Sequence, residues 1–168
     1  MNRKFATLAT VAAGALAACA TPPTTGVVIT NIAVDETPAE VRALAVGAVK
    51  GFVIAEVQKK VRDGRTYYDV EGELPDGSEL EFDILMTAAG PQIVETQRDL
   101  DWSAVPVAVR AAAEAAAPGL SPVRVIESTQ TDGTVIFELF APGAPSDPAI
   151  EVSWAGSVAA ILTERWPH

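Results

Sequence analysis

An internal repeat limits what this chain can fold into more than any other feature of its sequence. Pro38-Ala39-Glu40-Val41-Arg42 recurs as Pro106-Val107-Ala108-Val109-Arg110, with proline, valine and arginine at matching positions. Each copy continues to an apolar segment, then to an Asp-Gly pair, Asp63-Gly64 or Asp132-Gly133, and then to a second apolar segment. Because both copies have the same order of signals, the sequence predicts one structural unit used twice.

Each copy opens with a helix signal. In the first copy we expect Thr37 to be the N-cap, Pro38 the first helical residue and Glu40 the partner in a capping box, with the helix ending near Lys50. In the second copy an alanine-rich helix is expected over residues 106–117. Apolar residues at helical spacing predict that each helix lies on a sheet.

The segments after each helix alternate apolar and polar residues, which is typical of half-buried strands. Asp63-Gly64 is a signal for a two-residue hairpin turn, which would place Lys60 opposite Tyr67 and Gln58 opposite Asp69. The pattern therefore predicts antiparallel strands that follow one another along the chain.

The fold class that follows is α+β, with two tandem units, each one helix packed on a three- or four-stranded antiparallel sheet. The first unit would span residues 37–100 and the second residues 101–168. Their relative placement stays open between two units side by side and two sheets joined into one concave surface.

One helix followed by three or four antiparallel strands, twice, resembles the PepSY-like group, in particular its tandem form named for likeness to a β-lactamase inhibitor protein. The segment from Val105-Pro106 to Pro118-Gly119, followed by Asp132-Gly133, carries most of the resemblance. The first copy departs from it, with Lys50-Gly51 in place of Pro-Gly. The resemblance implies a noncatalytic module of the kind found in peptidase propeptides, where an inhibitory role is proposed, and in envelope proteins.

The beginning of the chain has the layout of an export signal. Arg3 and Lys4 precede an apolar stretch shorter than the roughly 20 residues that a membrane-spanning helix needs, and small residues lead to Cys19. Leu16-Ala17-Ala18-Cys19 resembles the lipobox of bacterial lipoproteins, which implies that residues 1–18 are removed and that lipid is attached to Cys19. Residues 19–36 would then be anchor and tether. Ala20 implies sorting to the outer membrane, facing the periplasm.

Composition excludes several kinds of function. Cys19 is the only cysteine and His168 the only histidine, so disulfides, thiol nucleophiles and multi-histidine metal centres are not expected. Loss of Arg3 and Lys4 would change the net charge from −10 to −12, which disfavours binding to nucleic acid. No nucleophile elbow, phosphate loop or dinucleotide motif is present, so we expect neither catalysis nor a cofactor.

An acidic ladder is the first candidate binding surface. Its six residues alternate along two neighbouring strands, and a turn around Asp76-Gly77 would bring the two rows together. They are Asp69, Glu71, Glu73, Glu79, Glu81 and Asp83. Opposed like charges destabilise a sheet by roughly 0.2 to 1 kcal/mol per pair, so a basic protein partner or a calcium ion could offset them, together with nearby Lys60. The alternative interpretation is a solvated polar face that keeps the sheet soluble.

Trp102 and Trp166 are the second candidate, as aromatic contacts for a partner, with burial between the two copies as the alternative. Two functions are then expected. The first is a lipid-anchored periplasmic binding protein of the PepSY-like type, with inhibition of an envelope enzyme as one form. The second is a structural or assembly lipoprotein of the envelope whose acidic sheet binds cations or neighbouring proteins.

Overall fold

The computed structural model describes residues 26–144 and 146–164. The predicted export signal, Cys19, Trp166 and His168 lie outside them. Within the described residues, two short 3-10 turns, Val34–Glu36 and Trp102–Ala104, each precede a helix. The other elements are β1 (Val28–Ile32), α1 (Ala39–Ala48), β2 (Val53–Arg62), β3 (Arg65–Glu73), β4 (Glu79–Thr87), β5 (Gly90–Asp99), α2 (Val107–Ala116), β6 (Arg124–Gln130), β7 (Val135–Phe140), β8 (Ile150–Ala155) and β9 (Val158–Ile161).

All nine strands of the described chain form one antiparallel sheet, in the order in which they occur in the sequence. The prediction of two tandem helix-on-sheet units is therefore wrong: the protein is mostly one continuous sheet with two short helices. The decisive contact is the pairing of β5 with β6, in which Glu95 lies opposite Gln130 and Asp99 opposite Ile126. An unpaired strand edge exposes backbone N–H and C=O groups. Here β5, from the first half of the sheet, and β6, from the second half, satisfy these groups by pairing with each other.

Each helix covers a cluster of buried apolar side chains. Val41 and Ala45 of α1 are fully buried in the first cluster, which includes Phe82 of β4. Val109 of α2 is equally buried in the second, which includes Phe137 of β7. Full burial of a valine or phenylalanine side chain contributes roughly 1.5 to 3 kcal/mol, so these clusters fix both helices on the sheet.

The two helices lie on the same face of the sheet. Directly paired residues share a face, and the pairs run from Phe82 to Thr96, from Thr96 to Thr129 and from Thr129 to Val135. Phe82 belongs to the cluster under α1, and Val135 packs against the cluster under α2. The opposite face of the sheet therefore carries neither helix.

The start of α1 differs from the predicted capping box. Pro38 is the N-cap and no side chain caps the helix by a hydrogen bond. Thr37 instead donates its hydroxyl hydrogen bond to the carbonyl oxygen of Ala33, at 3.2 Å. Thr37 thus closes the preceding 3-10 turn, so the expected roles of Thr37 and Glu40 as partners in a capping box are wrong.

The repeated arginines have a common structural role. Arg42 Nη1 donates a hydrogen bond to the carbonyl oxygen of Val34 at 2.9 Å. Arg110 Nη1 donates to the carbonyl oxygen of Ser103 at 3.0 Å. Each arginine therefore ties its helix to the 3-10 turn before it.

The segment predicted as anchor and tether, residues 19–36, contains ordered structure. Within it, β1 pairs with β2, with Val28 opposite Val61 and Ile32 opposite Val57. The strand is short and mostly exposed, so it has little of the apolar alternation that indicates a strand in a sequence. Neither helix of the described residues has the length and apolar character needed to cross a membrane.

Candidate functional site

The candidate site is the sheet face opposite the helices, which we call the acidic face. Its acidic side chains occupy β2 to β5, β7 and β8, and include all six predicted ladder residues. They are Glu56, Asp69, Glu71, Glu73, Glu79, Glu81, Asp83, Glu95, Asp99, Glu138 and Glu151. The predicted hairpin register is confirmed, since Lys60 pairs with Tyr67 and Gln58 with Asp69.

The two rows of the acidic ladder lie side by side, as predicted. Asp69 pairs with Asp83, Glu71 with Glu81, and Glu73 with Glu79. The six carboxyl groups therefore form three directly opposed pairs of like charge.

Burial divides the ladder into two ends. Glu73 and Glu79 are exposed, as is Glu71. Asp69 and Asp83 are only 7% and 6% exposed. The interpretation as a solvated polar face thus holds for one end, whereas the other end places carboxyl groups where an ionised form is costly.

Lys60 neutralises part of the buried end. Its ammonium group forms an ion pair with a carboxylate oxygen of Asp69. Burial disfavours the charged ammonium, but the hydrogen bond and the charge of Asp69 outweigh this effect and raise the pKa of Lys60. Nearby, the Arg62 guanidinium lies 5.1 Å from the centre of the Tyr67 ring.

Asp83 and Glu81 are unusual carboxylic acids. Burial and the neighbouring charge of Asp69 raise the pKa of Asp83 to about 7. The same two causes raise the pKa of Glu81 to about 7. Asp83 Oδ1 is buried and makes no hydrogen bond within the described residues.

The buried acidic row continues beyond the ladder onto β5. Glu95 lies opposite Asp83 and is 4% exposed. Its Oε1 accepts a hydrogen bond from the hydroxyl of Ser128 and another from Gln130 Nε2 at 2.9 Å. Glu95 is therefore held by donors from β6, across the contact that joins the two halves of the sheet.

Sequence reasoning left five acidic residues of this face out of the candidate site: Glu56, Glu95, Asp99, Glu138 and Glu151. Glu138 and Glu151 are directly paired on β7 and β8, and both are buried. The alternation of Glu138 with Phe137 and Leu139 could have placed it on the acidic face. For Glu95 no such signal exists, because an irregular register beside it interrupts the period of two.

Two adjoining cavities open on the exposed side of the ladder. The first, of about 150 Å³, is lined by Glu71, Glu79 and Glu81, together with Asp99 and Arg124. The second, of about 380 Å³, also includes Asp99 and Arg124 and is bordered by Trp102. The acidic ladder and Trp102, which the sequence suggested separately, thus border one continuous stretch of surface.

Trp102 is partly buried and partly accessible, so it has features of both interpretations given above, burial and contact with a partner. It packs against the apolar cluster under α2, and part of it stays accessible at the second cavity. Trp154 also packs against that cluster, with its ring 6.3 Å from the ring of Phe137 in an edge-to-face arrangement. Trp166 lies outside the described residues.

Metal binding was the other expectation for the ladder. Within residues 26–144 and 146–164, no three acidic, histidine or cysteine side chains are arranged to hold a metal ion. The opposed carboxyl groups instead make the surface attractive to cationic side chains, since complementary charge guides protein association.

Comparison of the chain with protein-family models, curated proteins and solved structures finds no match. The resemblance to PepSY-like modules and the lipobox at Cys19 therefore stay predictions.

Proposed function

We propose that this protein is a noncatalytic binding protein, attached by lipid at Cys19 to the periplasmic side of the bacterial outer membrane, that holds a basic segment of another protein on its acidic face. The single observation that carries the proposal is the cavity lined by Glu71, Glu79 and Glu81. It lies at the exposed end of the acidic face, beside the buried acidic residues Asp69, Asp83 and Glu95.

The charges in this cavity favour a cationic ligand. Within the described residues, the three glutamates form no ion pair. The two arginines at the cavity have acidic partners of their own: Arg98 lies 2.7 Å from Glu127, and Arg124 lies 3.0 Å from Asp99. A lysine or arginine side chain from a partner would supply the positive charge that the glutamates lack.

Repulsion among the glutamates supports the same proposal. Burial and the charge of Glu79 raise the pKa of Glu71, which means that its ionised form is disfavoured in the free protein. An incoming cation favours the ionised form and relieves this repulsion. Trp102, at the adjoining cavity, adds an aromatic surface of the kind that often anchors a protein partner.

The proposed location is consistent with the charge of the chain. A net charge near −12 after removal of the export signal repels anionic membrane surfaces, so attachment would depend on the lipid. The acidic face would then remain available to soluble or membrane-bound proteins of the periplasm.

In-cell crosslinking tests the proposal. A photoreactive residue is placed at Glu71 in one strain and at Trp102 in another, and the trapped proteins are identified. The matched control carries it at Glu40, an exposed residue of α1 on the helix side of the sheet. We expect one dominant partner with a basic segment at both test positions and not at Glu40. Diffuse capture of abundant envelope proteins, equal at all three positions, would contradict the proposal and favour a structural role.

A further inference from the structure

We infer that the buried centre of the acidic face is a proton-binding site, in which Asp83 carries a proton in the folded protein near neutral pH and donates a hydrogen bond to a carboxylate beside it. The proton is thus a structural part of the sheet, and its loss as the pH rises weakens the fold. This inference concerns the free protein and does not depend on the proposed binding function.

The first argument is the position of Asp83 between two other acidic residues. Asp69 on β3 and Glu95 on β5 are its direct cross-strand partners. Directly opposed residues have Cβ atoms about 4.5 to 5.5 Å apart, so the three carboxyl groups are close neighbours. The exposed fractions of Asp69, Asp83 and Glu95 are 7%, 6% and 4%, so little water reaches them to screen their charges.

The second argument is the distribution of hydrogen-bond donors and cations. Lys60 binds Asp69, and the side chains of Ser128 and Gln130 donate to Glu95. Asp69 and Asp83 each have a buried Oδ1 without a hydrogen-bond partner within the described residues, but Asp69 is paired with Lys60 through its other oxygen, whereas Asp83 forms no ion pair there. A buried acceptor without a donor destabilises a protein, and the effect is larger when the acceptor is charged.

A proton on Asp83 resolves both problems. The neutral acid removes the repulsion with the flanking carboxylates, and its hydroxyl group becomes a donor to one of them. Carboxylates that share a site in this way ionise one after the other, with the second ionisation strongly disfavoured.

All the charged groups around Asp83 fit this arrangement. Burial and the carboxylate of Asp69 raise the pKa of Asp83, and the carboxylate of Glu95 raises it further. The cations of Lys60 and Arg62 lower it, and the resulting pKa is about 7. Glu81, on the same strand, has a pKa raised to a similar value, so the two acids titrate in the same pH range. Tyr67 is the cross-strand partner of Lys60.

The effect on stability has a definite sign. A pKa that is higher in the folded protein than in the unfolded chain means that folding takes up a proton between the two values. Stability from this source is therefore greatest below the ordinary value of 3.8 and decreases as the pH rises towards about 7. Most carboxylates that form ion pairs have the opposite effect, because their contribution to stability increases as the pH rises.

The direct test is a titration of the wild-type protein by carbon NMR of its carboxyl groups. Comparison with Asp83→Asn identifies the Asp83 signal. We expect this signal to change with a midpoint near pH 7. A midpoint for Asp83 at or below about 4 would overturn the inference.

The second test measures the unfolding temperature between about pH 5 and pH 8. We expect it to decrease with pH in the wild type and in the matched control Glu79→Gln, which changes an exposed residue of the same strand and face. In Asp83→Asn the decrease should be smaller, because the amide cannot ionise and still donates to the neighbouring carboxylates. Equal slopes in Asp83→Asn and wild type would count against the inference. If Asp83→Asn does not fold, the Asp83 signal of the wild type is assigned through neighbouring residues. The wild-type titration alone then tests the inference.

Discussion

Asp83 on β4 lies directly opposite Asp69 on β3, and Lys60 on β2 binds Asp69. Two acidic side chains with nearly the same burial therefore have different chemistry. Asp69 has a cation beside it, which favours its ionised form. The pKa of Asp83 is raised to about 7, so near neutral pH the protein holds a carboxylate next to a carboxylic acid.

Lys60→Met should destabilise the protein by about 3 kcal/mol at pH 7, because it leaves the carboxylate of Asp69 buried without its cation. The quantity to measure is the free energy of unfolding in urea. The double variant Lys60→Met with Asp69→Asn is the control, since it removes both charges together. We expect it to be more stable than Lys60→Met alone. A double variant that is less stable than the single variant would show that the ion pair is not the cause.

Ser128→Ala and Arg98→Ala separate a buried contact from an exposed one at the junction of β5 and β6. Ser128 is fully buried and donates to Glu95, so its loss should cost about 1 to 3 kcal/mol. Arg98, 54% exposed at its side chain, pairs with Glu127, and this loss should cost less than about 1 kcal/mol. Denaturation in urea measures both. If Arg98→Ala lowers the free energy of unfolding more than Ser128→Ala does, exposed ion pairs are the stronger contribution to the pairing of β5 with β6.

Gly72→Ala should be among the most damaging small substitutions. A Cβ atom at Gly72 would lie 2.2 Å from the carbonyl oxygen of Val53 and 2.6 Å from the Phe52 ring. Either the strand or the ring has to shift, with an expected loss of about 1 to 3 kcal/mol.

The matched control for this substitution is Gly47→Ala. Gly47 lies in α1, and a Cβ atom there would meet no atom within 4 Å. Alanine favours a helix by up to about 1 kcal/mol over glycine, so this variant should be more stable than the wild type. The unfolding temperatures of Gly72→Ala and Gly47→Ala, measured in parallel, test both predictions. A shift of the same sign in the two variants would contradict them.

Glu71→Lys combined with Glu79→Lys should reduce recovery of a basic partner by at least about tenfold, since like charges then face each other across the interface. The control is Glu36→Lys combined with Glu40→Lys, which changes the net charge equally at exposed residues on the helix side. Circular dichroism would establish that both double variants are folded. Equal recovery with the two variants would show that the acidic ladder does not contact the partner.

Several features of this protein could be predicted because they depend on residues close together in the sequence. The α2 helix lies at Val107–Ala116, within the predicted residues 106–117. Asp63 and Gly64 both adopt positive φ angles, of 51° and 73°, as the two-residue hairpin turn requires. The opposed rows of the acidic ladder followed from that turn, the next turn and the period of two.

Other features depended on contacts that local patterns do not encode. Ile93 packs into the apolar cluster under α1, so a strict period of two would place Glu95 on that apolar face as well. The register shift between β4 and β5 instead pairs Asp83 with Glu95 and Ile84 with Ile93, and this moves Glu95 to the acidic face. A single extra residue in a strand thus decided which side chains surround Asp83.

The sequence by itself determined most helix and strand positions and the side of the sheet on which each ladder residue lies, because turn residues and apolar periodicity act over a few residues. Only the tertiary structure decided that β5 pairs with β6, which turned the two expected units into one sheet. It also decided that one end of the acidic face is buried and the other exposed. The physical reason is that strand pairing and burial depend on which surfaces meet in three dimensions. The alternation of apolar and polar residues along a strand places a side chain on one face of the sheet, but it does not show whether water reaches that face.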